Sequence, residues 1–308
     1  IIGYQILRSR DLDHPYHDTA LPPGQKNFKV SAVVLTYKDH WKFKRFLDSI
    51  LHQKVGHYEL IIVDTGCLPK TAELVKNTFS QSKNSWLSHK YTRLCQNPGY
   101  ATSSNQAVKL ADPSSQWILF LHDDVILQGD NFISSMLQLA ETRGDMTGAV
   151  GCSLRNAEGT KLLEAGGIVW SNGETSRYGH ERVDFDAPDL IYPRPVDYVS
   201  GACLMIRKNI FDGYGGFDVY HFPNSYEDTD IQMHIQHDLQ YQVWLQPNAV
   251  SLHDENGSFG AALRFEEIFK KKWHAVLQEH IHRPIHSKKN EKLVQQLKAS
   301  DTRARDPT

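Results

Sequence analysis

What this chain lacks narrows its function before any motif is read. No apolar run approaches the ~18 residues that a membrane-spanning helix needs, so no transmembrane segment is expected. Cysteine is scarce: Cys67, Cys95, Cys152 and Cys203 are scattered, and no CxxC pair occurs. That excludes a zinc framework and a disulfide scaffold, and makes a reducing compartment the plain expectation. Neither sign of charge dominates, with 34 Lys and Arg against 36 Asp and Glu and a net charge of −2. Such a balance gives no global basic field for nucleic acid, which is not expected as a partner. GxSxG, HExxH, P-loop and GxGxxG patterns are all missing. The usual hydrolase, zincin, NTPase and dehydrogenase signatures go with them.

What remains is an ordinary globular composition, 40% hydrophobic and 23% charged over 308 residues. That length buries a full core, in one large α/β domain or two small ones. The first residue is Ile1 rather than Met, so a fragment of a longer, multidomain chain is expected and the lack of a leader carries no weight.

From Lys29 onward an α/β rhythm sets in. Val30 to Leu35 is a short β-branched run and reads as a buried strand. Trp41, Phe43, Phe46, Leu47, Ile50 and Leu51 recur at helical spacing, Leu60 to Val63 gives a second strand, and a helix is predicted after Pro69. Strands over 91–94 and 117–121 flank a helix over 101–111. Such alternation predicts βαβ units and a mostly parallel sheet, whose ligands sit at the carboxyl ends of strands. Thr36, Asp64 and the cluster His122-Asp123-Asp124 all fall at such ends. Beyond residue 148 the pattern predicts strands over 149–154, 168–170, 196–206 (interrupted at Ser200-Gly201) and 243–252, a long loop over 171–194, and helices over 226–236 and from Phe265 onward.

The acidic cluster is the strongest chemical signal. Adjacent carboxylates repel unless a cation or a proton lies between them. Side chains alternate along an extended segment, so His122 and Asp124 can face one divalent ion while Asp123 points elsewhere. A solvated polar loop fits the same letters. His253 ends a strand-like run and suits either a third ligand or a structural role. Glu227, Asp228 and Asp230 open a predicted helix, where carboxylates serve as caps or as a base kept ionised by the helix terminus. Asn97-Pro98-Gly99-Tyr100-Ala101, with Asn105, makes a turn into a helix whose N-terminus could meet an anion or a sugar. Asn256-Gly257-Ser258 fits a glycosylation sequon, and Lys270-Lys271-Lys272 reads as a solvated charge run.

Taken in order, these pieces resemble the family 2 nucleotide-sugar glycosyltransferases of GT-A fold. The resemblance spans residues 30–260 and is carried by Val33-Val34-Leu35-Thr36-Tyr37, Ile61-Ile62-Val63-Asp64, the Asn97 to Ala101 turn with Asn105, and Phe120 to Val125. It continues through Val199-Ser200-Gly201-Ala202-Cys203, Gly215-Gly216-Phe217-Asp218, Tyr226 to Asp230, Pro247 to His253 and Lys271-Lys272-Trp273. The branch is similar to rhamnosyl- and galactofuranosyl-type transferases of surface glycans. This implies an α/β fold with a Rossmann-like, mostly parallel sheet flanked by helices, spanning 28–260. An N-terminal arm (1–27) would precede it, and a C-terminal helical extension (261–308) with a disordered tail would follow.

The function implied is inverting, metal-dependent transfer from a UDP- or dTDP-sugar to a hydroxyl of a glycan, glycolipid or protein-linked acceptor. Asp228 matches the family's general base. Asp124 and His253, with His122 at the variable first position of the DxD motif, would hold Mn²⁺ or Mg²⁺. Asp64 would accept the N3–H of a pyrimidine, and Thr36, Tyr37 and Asp123 would line the same nucleotide pocket. Asn97, Gly99 and Asn105 would border the diphosphate or ribose, Gly201 the sugar wall, and Lys272 and Trp273 the donor. Rival readings are a sugar nucleotidyltransferase, which lacks its glycine-rich loop here, and a non-catalytic sugar- or nucleotide-binding module. A cytoplasmic location is expected, with peripheral membrane contact open.

Overall fold

The computed structural model describes residues 29–54, 58–82, 87–254 and 262–279. The predicted N-terminal arm, the sequon at Asn256 and the predicted disordered tail lie outside the described residues. Strands and helices alternate at first: β1 (Val30–Thr36), α1 (His40–Ile50), β2 (Tyr58–Asp64), α2 (Pro69–Gln81), β3 (Leu87–Arg93), α3 (Tyr100–Val108) and β4 (Trp117–His122). Next come β5 (Val125–Leu127), α4 (Phe132–Arg143), β6 (Thr147–Asn156), β7 (Leu162–Glu164), β8 (Gly167–Val169), β9 (Thr175–Arg177) and β10 (Arg194–Pro195). The chain closes with β11 (Cys203–Arg207), α5 (Lys208–Tyr214), α6 (Glu227–Met233) running into a π-helical turn, β12 (Gln242–His253), α7 (Ala262–Lys272) and α8 (His274–Glu279).

One sheet in the order β10-β12-β6-β11-β4-β1-β2-β3 forms the centre, with β5 on β12 and β7 on β6. β4, β1, β2 and β3 run parallel, β11 runs antiparallel between β4 and β6, and β12 is parallel to β6. The mostly parallel α/β architecture expected from the sequence is therefore present. Its side chains divide by parity: Ala32, Val34, Leu60 and Ile62 join one apolar cluster, while Val33, Ile61 and Val63 join another on the opposite face. Helix α1 buries Phe43, Phe46, Leu47 and Ile50 against the first cluster, one stripe at helical spacing, and its Asp39 side chain caps the helix by accepting from the Lys42 amide at 3.1 Å.

Register decides where the site falls. Thr36 lies beside Asp64, Asp64 beside Arg93, and Leu35 beside His122, so four strand ends share one edge. β12 tolerates Pro247 because its pairing with β6 slips between Gln246 and Val250. The strand then resumes and sets His253 opposite Val125 on β5.

Three expectations need correction. β3 begins at Leu87 rather than Tyr91; it is the outer strand of its side, where Ser88, His89 and Lys90 can be tolerated in an extended run. The predicted loop over 171–194 holds β9 and the start of β10. The predicted interruption of the 196–206 run at Ser200-Gly201, by contrast, is present: Val196 bonds to Val243 of β12, Gly201 turns aside to meet α6, and β11 begins at Cys203. Finally, Cys67 and Cys95 form a disulfide, against the reading of all four cysteines as thiols in a reducing compartment, whereas Cys152 and Cys203 are free and buried. Adjacent, in-register β2 and β3 end together at Asp64 and Arg93, which brings the two following turns side by side with the cysteine Cα atoms 5.2 Å apart.

Candidate functional site

A cavity of about 530 Å³ opens at the carboxyl edge of the parallel strands. Its volume suits a small-molecule ligand. Thr36, Tyr37, Asn97, Gly99, His122, Asp123 and Asp124 line it, all of them residues that the sequence had singled out. Leu35, Thr65, Pro98, Tyr100, Ser103 and Asn224 line it as well. Tyr100 lay within the Asn97 turn and could have been chosen from there, but Asn224 carried no local signal. It reaches the cavity because its Oδ1 accepts the Tyr100 amide at 2.9 Å, tying the loop before α6 to the start of α3. The Ala101 amide is likewise taken by the Pro223 carbonyl at 3.0 Å. Two amides at this helix N-terminus are thus satisfied by the protein itself, which leaves the expected anion fewer donors. Ser103 offers a different kind of group: it is fully buried in the wall, and its hydroxyl has no hydrogen-bond partner.

On the metal side, one ligand atom each from His122, Asp124 and His253 lies within 4.8 Å of the others. His253 Nε2 is 3.2 Å from Asp124 Oδ1, and His122 Nδ1 is 4.0 Å from the same oxygen. That oxygen is buried and has no well-directed hydrogen bond. An orphaned carboxylate oxygen between two imidazoles fits a divalent cation, since the set is of mixed N and O donors. Desolvation and the nearby His253 push the His122 imidazole down to about 4, so at neutral pH it is uncharged and keeps a lone pair to offer. Burial pushes the Asp124 carboxyl up, but His253, His122 and Lys42 outweigh it and hold the group below the ordinary carboxylate range. Lys42, which the sequence reading missed, stands 4.0 Å from Asp124 Oδ2 and 3.1 Å from Asp254. Asp123 points the other way, as alternation predicts, and accepts from the Tyr37 amide at 3.3 Å. Burial raises its carboxyl to about 6 against that bond and one from Thr36.

Asp228 approaches from α6. Its Oδ2 accepts the Gly201 amide at 2.6 Å and its Oδ1 the Thr229 amide at 2.7 Å. A Cβ on residue 201 would lie 3.0 Å from that Oδ2 and 3.2 Å from the Asp228 Cβ, so the approach needs glycine. Tyr100 links the two ends of the site: its hydroxyl lies 3.5 Å from the Gly201 carbonyl, and its ring meets His122 edge-on at 5.4 Å. Burial raises the Asp228 carboxyl above its ordinary value, against the two amide bonds that favour the ionised form.

Besides Asp228 and His253, five singled-out residues fall outside the lining. Asp64 is fully buried; its Oδ1 accepts the Gly66 and Cys67 amides at 3.0 and 2.7 Å, and its Oδ2 the Tyr91 hydroxyl at 2.9 Å. Those bonds shape the turn after β2 and leave it no face toward a base. Asn105 pairs both amide atoms with the backbone of Phe217, at 2.9 and 2.8 Å. Lys272 and Trp273 are bonded to Asp230, behind α6. Gly201, though it holds Asp228, is not part of the cavity wall either.

Among the described residues no helix is long and apolar enough to cross a membrane. The family model for glycosyl transferase family 2 matches residues 31–215. The chain is 27% identical over 261 residues to the uncharacterized protein y4gI of Sinorhizobium fredii, covering 80% of this chain and 26% of that protein. It is 29% identical over 204 residues to the O-antigen biosynthesis protein RfbC of Myxococcus xanthus, covering 62% of this chain and 14% of that one. It therefore spans about a quarter and a seventh of these two relatives. An N-acetylglucosaminyl-diphospho-decaprenol L-rhamnosyltransferase of Mycobacterium tuberculosis is 25% identical over 255 residues, covering 75% and 78%. Among solved structures, a mannosyltransferase of Pyrobaculum calidifontis in complex with GDP-Man and Mn²⁺ superposes with a TM-score of 0.59 at 15% identity, covering 88% of this chain and 69% of that one. GalNAc-T7 with UDP, GalNAc and Mn²⁺ gives 0.62 at 12% identity, covering 84% and 50%. These likenesses show a shared GT-A fold. With the family model matching more than half of its length, the chain belongs to glycosyl transferase family 2.

Proposed function

We propose that this chain transfers a sugar, with inversion, from a UDP- or dTDP-sugar to a hydroxyl of a glycan or glycoconjugate acceptor. The observation that carries the reading is the pairing of Asp228 with the Gly201 amide at 2.6 Å, one tyrosine ring away from His122. A general base must sit close to the reacting centre and present a lone pair. Two amide donors orient the Asp228 carboxylate, and its raised pKa still leaves a carboxylic acid that ionises more readily than any acceptor hydroxyl. The acceptor proton passes to Asp228 as the acceptor oxygen attacks the anomeric carbon and the nucleoside diphosphate leaves.

His122, Asp124 and His253 would hold a divalent cation, Mn²⁺ or Mg²⁺. When bound, such an ion supplies positive charge to the leaving diphosphate. Thr36, Tyr37, Thr65 and Asn97 would contact the nucleoside from the cavity wall, and Asp64 would act beneath them by shaping the turn that carries Thr65. Support for a surface-glycan product comes from the relatives, of which one is named an L-rhamnosyltransferase and another an O-antigen biosynthesis protein.

The test is a panel of UDP-, dTDP- and GDP-sugars on the purified chain, read by thermal shift and by release of nucleoside diphosphate, with Mn²⁺ or with EDTA. Stabilisation by one nucleotide that EDTA abolishes is the expected result. Equal stabilisation in EDTA would remove the metal from the reading, and indifference to every donor would remove the transferase function.

A further inference from the structure

Helix α6 carries two aspartates with opposite outlooks. Asp228 and Asp230 are two residues apart, about 200° around a helix, so they lie on nearly opposite faces: Asp228 meets the Gly201 amide, and Asp230 meets Lys272 and Trp273. Asp230 is completely buried. Its Oδ2 accepts from Lys272 Nζ and from the Tyr214 hydroxyl, each at 2.9 Å, and its Oδ1 accepts the Trp273 indole N–H at 2.8 Å. Lys272 Nζ also reaches Asp218 at 2.8 Å and the Tyr214 hydroxyl at 3.0 Å. One ammonium thus ties α6, the end of α5 and the turn after Gly216 to the junction of α7 and α8.

Apolar packing lies alongside these bonds and, being undirected, adds stability without fixing the rotation of the helix. Met233 of α6 shares a separate buried cluster with Phe269, Trp273 and Leu277 of the C-terminal helices and with Tyr198 and Phe222. The helix is therefore held from behind by a segment that begins almost 50 residues after the end of the family match at residue 215.

We infer that Asp230, Lys272 and Trp273 are positioning residues, which fix the rotation and depth of α6 so that Asp228 meets the Gly201 amide. This rests on the reading of Asp228 as the base, and it replaces donor contact as the role of Lys272 and Trp273. Buried ion pairs contribute little net stability compared with well-packed apolar groups, but they tolerate few geometries. Five directed bonds on one buried carboxylate and one ammonium leave the helix a single seating. A base displaced by about 1 Å can lose about 100-fold in rate.

The test compares Trp273→Phe and Lys272→Met with Leu277→Ala, which loosens the same apolar cluster without touching Asp230. Lys272→Arg and Asp228→Asn are run beside them. Turnover is followed as nucleoside diphosphate release from whichever member of the UDP-, dTDP- and GDP-sugar panel reacts, at a temperature where every variant is folded. Backbone hydrogen exchange over 227–233 is measured without ligand. Trp273→Phe and Lys272→Met should lower kcat about 10- to 100-fold while donor KM stays within about threefold, and should speed exchange in α6. Lys272→Arg should recover part of the rate, and Leu277→Ala should lose melting temperature with kcat unchanged. If the Trp273 and Lys272 variants simply track Leu277→Ala while Asp228→Asn is inactive, the positioning role is wrong and the base reading stands. Transfer retained by Asp228→Asn would overturn the base reading and this inference with it.

Discussion

On the side of β1 to β4, the cavity is walled by residues that sit directly at strand ends or in the turns that follow them. Thr36, Tyr37, Thr65, His122, Asp123 and Asp124 are placed by the apolar strands β1, β2 and β4, which are almost entirely buried on both faces. On the side of α6, Asp228, the proposed base, is placed by polar bonds to distant segments: Gly201 in front, and Lys272, Trp273 and Tyr214 behind through Asp230. The first wall is rigid because apolar strands in register admit few alternatives. The second is rigid only while a set of directed bonds is complete.

The strongest way to break this contrast is to remove one carboxylate from each wall. Asp228→Asn keeps the amide contacts' geometry and removes the proton acceptor, so kcat should fall by about 10²- to 10⁴-fold with donor affinity nearly unchanged. Asp124→Ala should do the reverse: nucleotide binding loses its Mn²⁺ dependence, read by thermal shift with and without EDTA. Were Asp228→Asn to lose donor affinity as strongly as rate, the two walls would not be separable and the base would belong to the donor site.

The two walls also differ in how far they could be read from the sequence. Donor-side residues follow hydrophobic runs directly, so the run itself announces where His122 or Thr36 will surface. The edge strand β3 hid its start because Ser88, His89 and Lys90 break the apolar pattern. Asp64 was legible as a strand-end acid, but not as one enclosed by the turn it shapes. Its hydrogen bonds depend on the backbone of Gly66 and Cys67 and on a tyrosine one strand away. The Cys67–Cys95 pairing needed the parallel register of β2 and β3, which no spacing in the sequence expresses. Lys272 and Trp273 matched a family motif in letters, yet their partners lie 42 and 43 residues earlier in the chain. Only the folded arrangement reveals that they meet Asp230.

Removing the disulfide sharpens the comparison next. Cys67 and Cys95 are 28 residues apart and join the turns after β2 and β3. Closing a loop of that length contributes about 3 to 4 kcal/mol in chain-entropy terms. Cys67→Ser with Cys95→Ser should lower the melting temperature and weaken nucleotide binding, since Thr65 lies in the same turn. Hydrogen exchange over 227–233 should not change; faster exchange there would mean that the walls share one stability.

Asn105 is the bridge between them. It stands on α3, beside the donor cavity, and clasps the Phe217 backbone with both amide atoms. Gly216, at a φ of 86°, approaches so closely that a Cβ there would lie 2.6 Å from Asn105 Oδ1. Asn105→Ala leaves a buried N–H and C=O without partners, a cost of about 1 to 3 kcal/mol. Chemical denaturation should show that loss. No loss would mean that water replaces the amide, and that the walls are coupled by packing alone.

The smallest effect concerns Glu227, the buried neighbour of Asp228. Burial, and then the charge of Asp228, push its carboxyl well above the ordinary range, and its Oε2 has no hydrogen-bond partner. The folded state therefore holds a proton that the unfolded chain releases above its ordinary pKa. Such a group favours the folded state in acid, and that advantage is lost as pH rises toward its folded pKa, by up to about 1.4 kcal/mol per unit. Glu227→Gln mimics the protonated form without the titration. Its melting temperature relative to the parent should therefore rise between pH 5 and pH 7, by an amount that grows with pH. A difference that stays flat over that range would mean that Glu227 is ionised in the fold, with a partner on the base side of the cleft that compensates its charge.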